Sequence, residues 1–249
     1  QGYNNIITRR SRDLDLRDQL AVQSFFHDHK PDYVINAAGK VGGILANSTY
    51  PVEFLVNNTQ IQHNILLAAK EVNAQKVLQF GSACIYPRNA AQPIKESALL
   101  SSDLEPSNDA YAIAKISSIL LGQALRDEYG CNVISAMPTN LYGPGDTFDQ
   151  EQSHVIPALM LKIHRAKVAN DPTVPVWGTG RASRDFLHVD DCARASVLLM
   201  QDYNERDIIN IGSGSEVTIA HLAAAIATVV GYSGQIEFDY SALEGVPRR

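Results

Sequence analysis

Val77-Leu78-Gln79-Phe80-Gly81-Ser82 reads as a short apolar strand that stops abruptly at a Gly-Ser turn. Upstream, Tyr33-Val34-Ile35 predicts a second buried strand, running into Asn36-Ala37-Ala38-Gly39. Downstream, Val133 to Met137 predicts a third, stopped by Pro138, and Ile208 to Ile211, ending at Gly212, a late return strand. The trio Ile6-Ile7-Thr8 is expected to form a further strand before Arg9, Arg10, Ser11 and Arg12. Helical spacing fills the gaps. Leu20, Val22, Phe25 and Phe26 mark a helix that ends near His29, before Pro31. Pro51 suits the first turn of a long helix carrying Leu55, Ile61, Ile65 and Leu66, and another helix starts near Ala110. Strands alternating with helices at this spacing predict an α/β fold, a doubly wound parallel sheet with right-handed crossovers. Ligands in such sheets sit beyond the carboxyl ends of the strands.

Composition narrows the function classes. A chain of 249 residues, 45% hydrophobic and 19% charged, can bury a core without disulfides or structural metal. A net charge of −6 lacks the basic stripe that a nucleic-acid partner needs. Cys84, Cys131 and Cys192 are scattered, with no zinc spacing, so free thiols are expected and no metal site. No apolar run approaches the ~18 residues of a membrane span, and no signal peptide is legible, which predicts a cytoplasmic protein. After Tyr142-Gly143-Pro144-Gly145 the alternation weakens into an expected second lobe, reaching to about Asp185, and Ile219 to Val230 is a strong amphipathic helix pattern.

Tyr111 and Lys115 carry the first chemistry. Four residues apart on a helix, they share a face. A phenol with an ordinary pKa of ~10 must exchange a proton near neutrality, and a lysine charge beside it would lower that value. The plainer reading of Y-x-x-x-K is a solvated lysine beside a half-buried tyrosine. Ser82, at a strand's carboxyl end, tips the balance, because its hydroxyl can bond a substrate oxygen being protonated.

This Ser, Tyr and Lys set resembles that of the extended short-chain dehydrogenase/reductases, with their Rossmann-type sheet. Gly81 to Pro87, Leu104-Glu105-Pro106, Tyr111 to Lys115 and Met137 to Pro144 are similar to the GDP-L-fucose synthase branch of that family. So are Lys40 to Ile44, Asn47 to Pro51, Ser153 to Leu159, Val176-Trp177-Gly178 and Phe186 to Asp191, in order and at matching spacing. The resemblance implies a two-part reaction on GDP-4-keto-6-deoxy-D-mannose: epimerisation at C3 and C5, then reduction of the C4 ketone by NADPH. It implies that Ser82, Cys84, Tyr111, Lys115 and His154 are catalytic, Cys84 as base and His154 as acid. Read alone, Cys84 would be a small buried hydrophobe and His154 a structural histidine. It also implies NADP(H) contacts from Arg10, Arg12, Gly81, Ser82, Tyr111, Lys115, Pro138, Asn140, Leu141 and His154. Arginines in the first loop suit the 2′-phosphate of NADP. Lys162, Trp177 and Arg184 are the substrate positions, with Lys162 standing where the family commonly has arginine and Ala83 where it often has serine.

By the same resemblance, 1–141 and 186–213 are expected to form the NADP-binding domain, and 142–185 and 214–249 the substrate lobe. A homodimer through helices at 51–73 and 110–129 is expected. No Gly-rich turn precedes Gln1, so the chain is expected to be a piece lacking the first strand-helix unit, cut at both ends. Three alternatives stay open: an NAD-dependent nucleotide-sugar 4-epimerase or 4,6-dehydratase, a non-catalytic relative, and an inactive fragment. Ala83-Cys84, where a dehydratase wants an Asp-Glu pair, disfavours the dehydratase.

Overall fold

A computed structural model describes residues 3–149, 153–241 and 246–248. The expected chain limits at Gln1 and Arg249 fall outside the described residues. In chain order the elements begin with α1 (Gln19–His29), β1 (Tyr33–Asn36), α2 (Ile44–Thr49), α3 (Pro51–Glu71) and β2 (Lys76–Phe80). After single turns at Ala83–Ile85 and Glu96–Ala98 come α4 (Asp109–Tyr129), β3 (Val133–Pro138), β4 (Asn140–Tyr142) and α5 (Val155–Ala169). The remainder is β5 (Thr173–Trp177), β6 (Ser183–His188), α6 (Val189–Asp202), β7 (Ile209–Ile211), β8 (Glu216–Thr218), α7 (Ile219–Val230) and β9 (Gln235–Asp239).

The main sheet runs β1-β2-β3-β7, all parallel, with Val77 beside Val133 and Leu78 beside Ile134. Alternate residues serve opposite faces. Val77 and Val133 pack with Val22, Phe26, Ile65 and Leu66 from α1 and α3. Leu78, Ile134 and Ala136 pack against Leu199 and Met200 of α6. Burial on both faces explains the mainly apolar character of β2 and β3, and the buried polar pair between them is satisfied by Gln79 Nε2 donating to Ser135 Oγ at 3.0 Å. At the edge of this sheet, Tyr33 and Ile35 of β1 stay exposed.

Local chemistry sets the helix limits. Asp18 caps α1 by accepting the Ala21 N–H at 3.1 Å, and Pro51 occupies the first turn of α3. Gly130 closes α4 at φ 70, where its N–H reaches the Arg126 carbonyl at 3.0 Å. Lys76, at the amino end of β2, is buried and donates to the Leu199 and Met200 carbonyls, both at 2.8 Å, closing the last turn of α6. The strand expected at Ile6 to Thr8 is a correction: that stretch has no regular structure, and Ile6 is 74% exposed. Apolar propensity makes no strand without a neighbouring ladder.

Two small sheets complete the described chain. β4 pairs in parallel with β6, which pairs antiparallel with β8; β5 pairs in parallel with β9. Leu159, Ile163, Val174, Val176, Ala223 and Ile226 form a second core between α5, α7 and β5. Asp185 fastens the corner where β6 meets the main sheet. Its carboxylate accepts Thr139 Oγ1, the Ser213 N–H and hydroxyl, and the Gly214 N–H.

Candidate active site

Strand β2 ends at Phe80, whose carbonyl accepts a 2.8 Å hydrogen bond from Lys115 Nζ. Gly81 follows; a Cβ there would collide with the Met137 sulfur. The chain then turns through Ser82, whose Oγ accepts the Cys84 N–H at 3.3 Å and caps the Ala83–Ile85 turn. From the facing α4, Tyr111 and Lys115 reach into this turn. Ser82 lies near enough to the Tyr111 phenol to act on its titration, and Lys115 Nζ lies 5.7 Å from the Tyr111 ring centre. Phe54 of α3 meets the same ring edge-on at 6.1 Å.

Burial governs the titration of this cluster. It raises the Tyr111 phenol above its ordinary range; the Cys84 charge adds to the shift and the Ser82 hydrogen bond opposes it. That corrects the expectation that Lys115 would lower it. Lys115 is itself desolvated and faces the Phe80 carbonyl, and burial lowers it from 10.5 to about 8 against the pull of the Cys84 charge. Tyr111 therefore keeps its proton near neutrality and is poised to donate it.

The loop after β1 forms the next wall. Asn58 of α3, fully buried, accepts the Lys40 N–H at 2.9 Å and donates to the Lys40 carbonyl at 3.0 Å. This pairing brings Gly39 over the ammonium: a Cβ there would fall 2.8 Å from Asn58 Oδ1 and 3.8 Å from Lys115 Nζ. Gly43 abuts the Ser153 carbonyl, where a Cβ would sit at 2.9 Å. The next residue, His154, begins α5. Desolvation lowers its imidazole below the ordinary range and Asp146 opposes the shift. Ser82, Cys84, Tyr111 and Lys115 thus form one cluster, while His154 stands across the Gly43–Ser153 contact.

At Gly39 the absence of a side chain lets the backbone run close against Asn58 and the buried ammonium, as it does where a chain turns past a nucleotide. Arg10 and Arg12 are exposed on the first loop, Arg12 sharing Asp13 at 3.7 Å, and can supply charge to a phosphate. Pro138, Asn140 and Leu141 follow at the carboxyl end of β3, with Asn140 Nδ2 donating to the Asp185 carbonyl at 3.3 Å. These groups fit a phosphorylated dinucleotide.

Among the expected substrate residues, Lys162 and Trp177 come together. Lys162 Nζ lies 5.6 Å from the indole and donates to the Pro175 carbonyl at 2.8 Å. Arg184 lies on β6, its guanidinium donating to the Ser183 carbonyl at 2.7 Å. Sequence reasoning missed Asn58, Asn108 and Asp185. Asn108 stands three residues before Tyr111 and donates to Cys84 Sγ at 3.3 Å. Its one legible signal was an asparagine at a helix start, which ordinarily means a cap.

A parallel sheet with Ser, Tyr and Lys gathered at a strand's carboxyl end defines a class of nucleotide-dependent enzymes. Residues 2–212 match the NAD dependent epimerase/dehydratase family, and the chain belongs to it. Within the family it is similar to GDP-L-fucose synthase 1 of Arabidopsis thaliana, with 52% identity over 249 residues, all of this chain and 77% of that protein. GDP-L-fucose synthase of Escherichia coli (strain K12) is 46% identical over 258 residues, covering 100% of this chain and 80% of the relative. A crystal structure of a GDP-L-fucose synthetase from Naegleria fowleri bound to NADP superposes with a TM-score of 0.87 at 31% identity. That match covers 98% of this chain and 75% of the other.

Proposed function

We propose that the protein converts GDP-4-keto-6-deoxy-D-mannose to GDP-L-fucose, epimerising C3 and C5 and then reducing C4 with NADP(H) as cofactor. The observation that carries this reading is the gathering of Ser82, Cys84, Tyr111 and Lys115 at the carboxyl end of β2, in a chain about half identical to synthases over its whole length. Arg10, Arg12, Gly81, Ser82, Tyr111, Lys115, Pro138, Asn140, Leu141 and His154 would hold the dinucleotide, which when bound supplies hydride for the C4 carbon.

The chain's own residues manage the protons. Cys84 removes the hydrogen next to the ketone; the C–H electron pair becomes the enolate C=C bond, the carbonyl π pair moves to the ketone oxygen, and the proton joins sulfur. Ser82 and Tyr111 stabilise that oxyanion by hydrogen bonding. His154 returns a proton to carbon on the opposite face. In the reductive phase Tyr111 gives its proton to the C4 oxygen, a role suited to a phenol held protonated. Lys162 and Trp177 hold the nucleotide, and Arg184 the diphosphate.

The reading extends to organisation. Residues 1–141 and 186–213 act as the cofactor domain, and 142–185 and 214–249 as the substrate lobe. A homodimer forms through α3 and α4, where Val52, Leu55, Val56, Ile113 and Leu120 are exposed on long helices. The protein works in the cytoplasm, a setting suited to its free cysteines; no helix among the described residues is long and apolar enough to cross a membrane. Mixing the protein with NADPH and the 4-keto sugar nucleotide tests the reading. NADPH oxidation with formation of GDP-L-fucose is expected, and no oxidation would overturn it.

A further inference from the structure

We propose that Asn108 is the positioning residue for Cys84, aiming its sulfur and stabilising the negative charge it carries as a base; this rests on the reading of Cys84 as the epimerisation base. Asn108 Nδ2 donates to Cys84 Sγ at 3.3 Å. The residue occupies the cap position of α4, yet its side chain caps nothing. An asparagine there ordinarily accepts an N–H from the first helical turn. The nearest first-turn amide, that of Ala110, is instead taken by Asp109.

The other half of the amide sharpens the point. Asn108 Oδ1 is buried with no hydrogen-bond partner among the described residues. A buried acceptor left unmet destabilises the fold. A small apolar side chain would avoid that cost if the position served packing alone. The retained contact is the one to sulfur.

Donor and acceptor are each fixed by their own turn. Glu105, buried, accepts the Ser107 N–H at 3.4 Å and the Ser107 hydroxyl at 3.1 Å, and pairs with Arg88 at 3.2 Å. The Glu105 carbonyl accepts the Asn108 N–H at 3.1 Å, so the approach to α4 is locked. On the far side, Cys84 is held by its own N–H to Ser82 Oγ. Tyr111 and Lys115, both from α4, interact electrostatically with Cys84. An amide N–H pointed at sulfur favours the form carrying negative charge. As the carbon-bound proton arrives at Sγ, the C–H electron pair forms the enolate C=C bond and the carbonyl π pair moves to oxygen, so the charge leaves sulfur and the hydrogen bond from Asn108 weakens. Asn108 thus acts on the state before proton transfer and touches no reacting carbon.

The test compares Asn108→Ala and Asn108→Asp in the full chain. Iodoacetamide alkylation of Cys84 is followed against pH by peptide mass spectrometry, which separates it from Cys131 and Cys192. Deuterium exchange at C3 and C5 of the sugar nucleotide is measured in parallel. For Asn108→Ala, Cys84 alkylation at neutral pH falls about five- to tenfold, as does kcat for exchange, while KM stays within about twofold. Asn108→Asp keeps the size and is a good cap, so a purely structural residue would tolerate it; both readings fall further instead. Unchanged alkylation in either variant overturns the positioning role, even where Cys84→Ser still stops exchange. Exchange that persists in Cys84→Ser overturns the base reading itself, a result the alkylation arm does not depend on.

Discussion

Lys115 donates to the Phe80 carbonyl at 2.8 Å, so its ammonium is bound to the last residue of β2 while the Tyr111 ring centre lies 5.7 Å away. The cation is anchored to the sheet and acts on the phenol from a distance. Burial lowers it to about 8. It is charged below that value and loses its proton as pH rises through it. The reductive kcat is therefore expected to decline above about pH 8, and Lys115→Arg, whose guanidinium stays charged, to move the decline upward. Steady-state NADPH oxidation against pH checks this; a coincident decline in both proteins would assign it to another group.

The same value carries a stability consequence. Between about 8 and 10.5 the unfolded chain binds a proton at Lys115 that the folded chain does not. Stability from this group thus rises with pH across that window and is lost as pH falls through it. Lys115→Met removes that part of the slope, which urea unfolding at several pH values will show.

Tyr111→Phe leaves the ring packed against Phe54 but removes the hydroxyl beside Ser82. Reduction is expected to slow by about 10²- to 10⁴-fold, the usual worth of a positioned proton donor. NADPH affinity, followed by fluorescence titration, should change little. Equal losses in both would mean that the hydroxyl chiefly shapes the cofactor seat.

For Cys84→Ser, exchange of the C3 and C5 hydrogens is expected to slow by about 10²-fold or more, with NADPH binding nearly intact. The serine hydroxyl keeps a polar group near Asn108 but is far less acidic than a thiol. Proton NMR in deuterated buffer reads the exchange directly.

Lys76→Met tests a residue remote from the chemistry, at the opposite end of β2 from Phe80. It leaves the Leu199 and Met200 carbonyls without their donor. A loss of about 2–4 kcal/mol is expected in denaturant unfolding, with kcat unchanged in the folded fraction. A neutral result would show that water closes α6 as well as the ammonium does.

The layered sheet was legible because β1, β2 and β3 are apolar runs closed by Gly, Pro or Asn, and because α3 and α4 repeat their apolar residues at helical spacing. Ile6 to Thr8 failed for the complementary reason: pairing decides a strand, and pairing is non-local. β4 and β8 had no such signal, since each is only three residues long, whereas β7, equally short, was legible as Ile208 to Ile211 before Gly212. Within the candidate site, residue types and order pointed to Tyr111, Lys115 and Ser82. The direction of the Tyr111 shift was not legible, because it depends on how deeply α4 sinks against β2. Asn58 and Asn108 were hidden for a like reason, as an asparagine's task is set by what its amide meets in space.

Asp185 has a mechanical consequence. One carboxylate ties Thr139, at the end of β3, and Ser213 and Gly214, after β7, to the third residue of β6 through four hydrogen bonds. Parting the two sheets at this corner would break all of them at once and leave a half-buried carboxylate without its donors. The corner therefore behaves as a fixed pivot: whatever motion admits a bulky sugar nucleotide takes place around it, and Asp185→Asn would loosen the pivot without touching the chemistry.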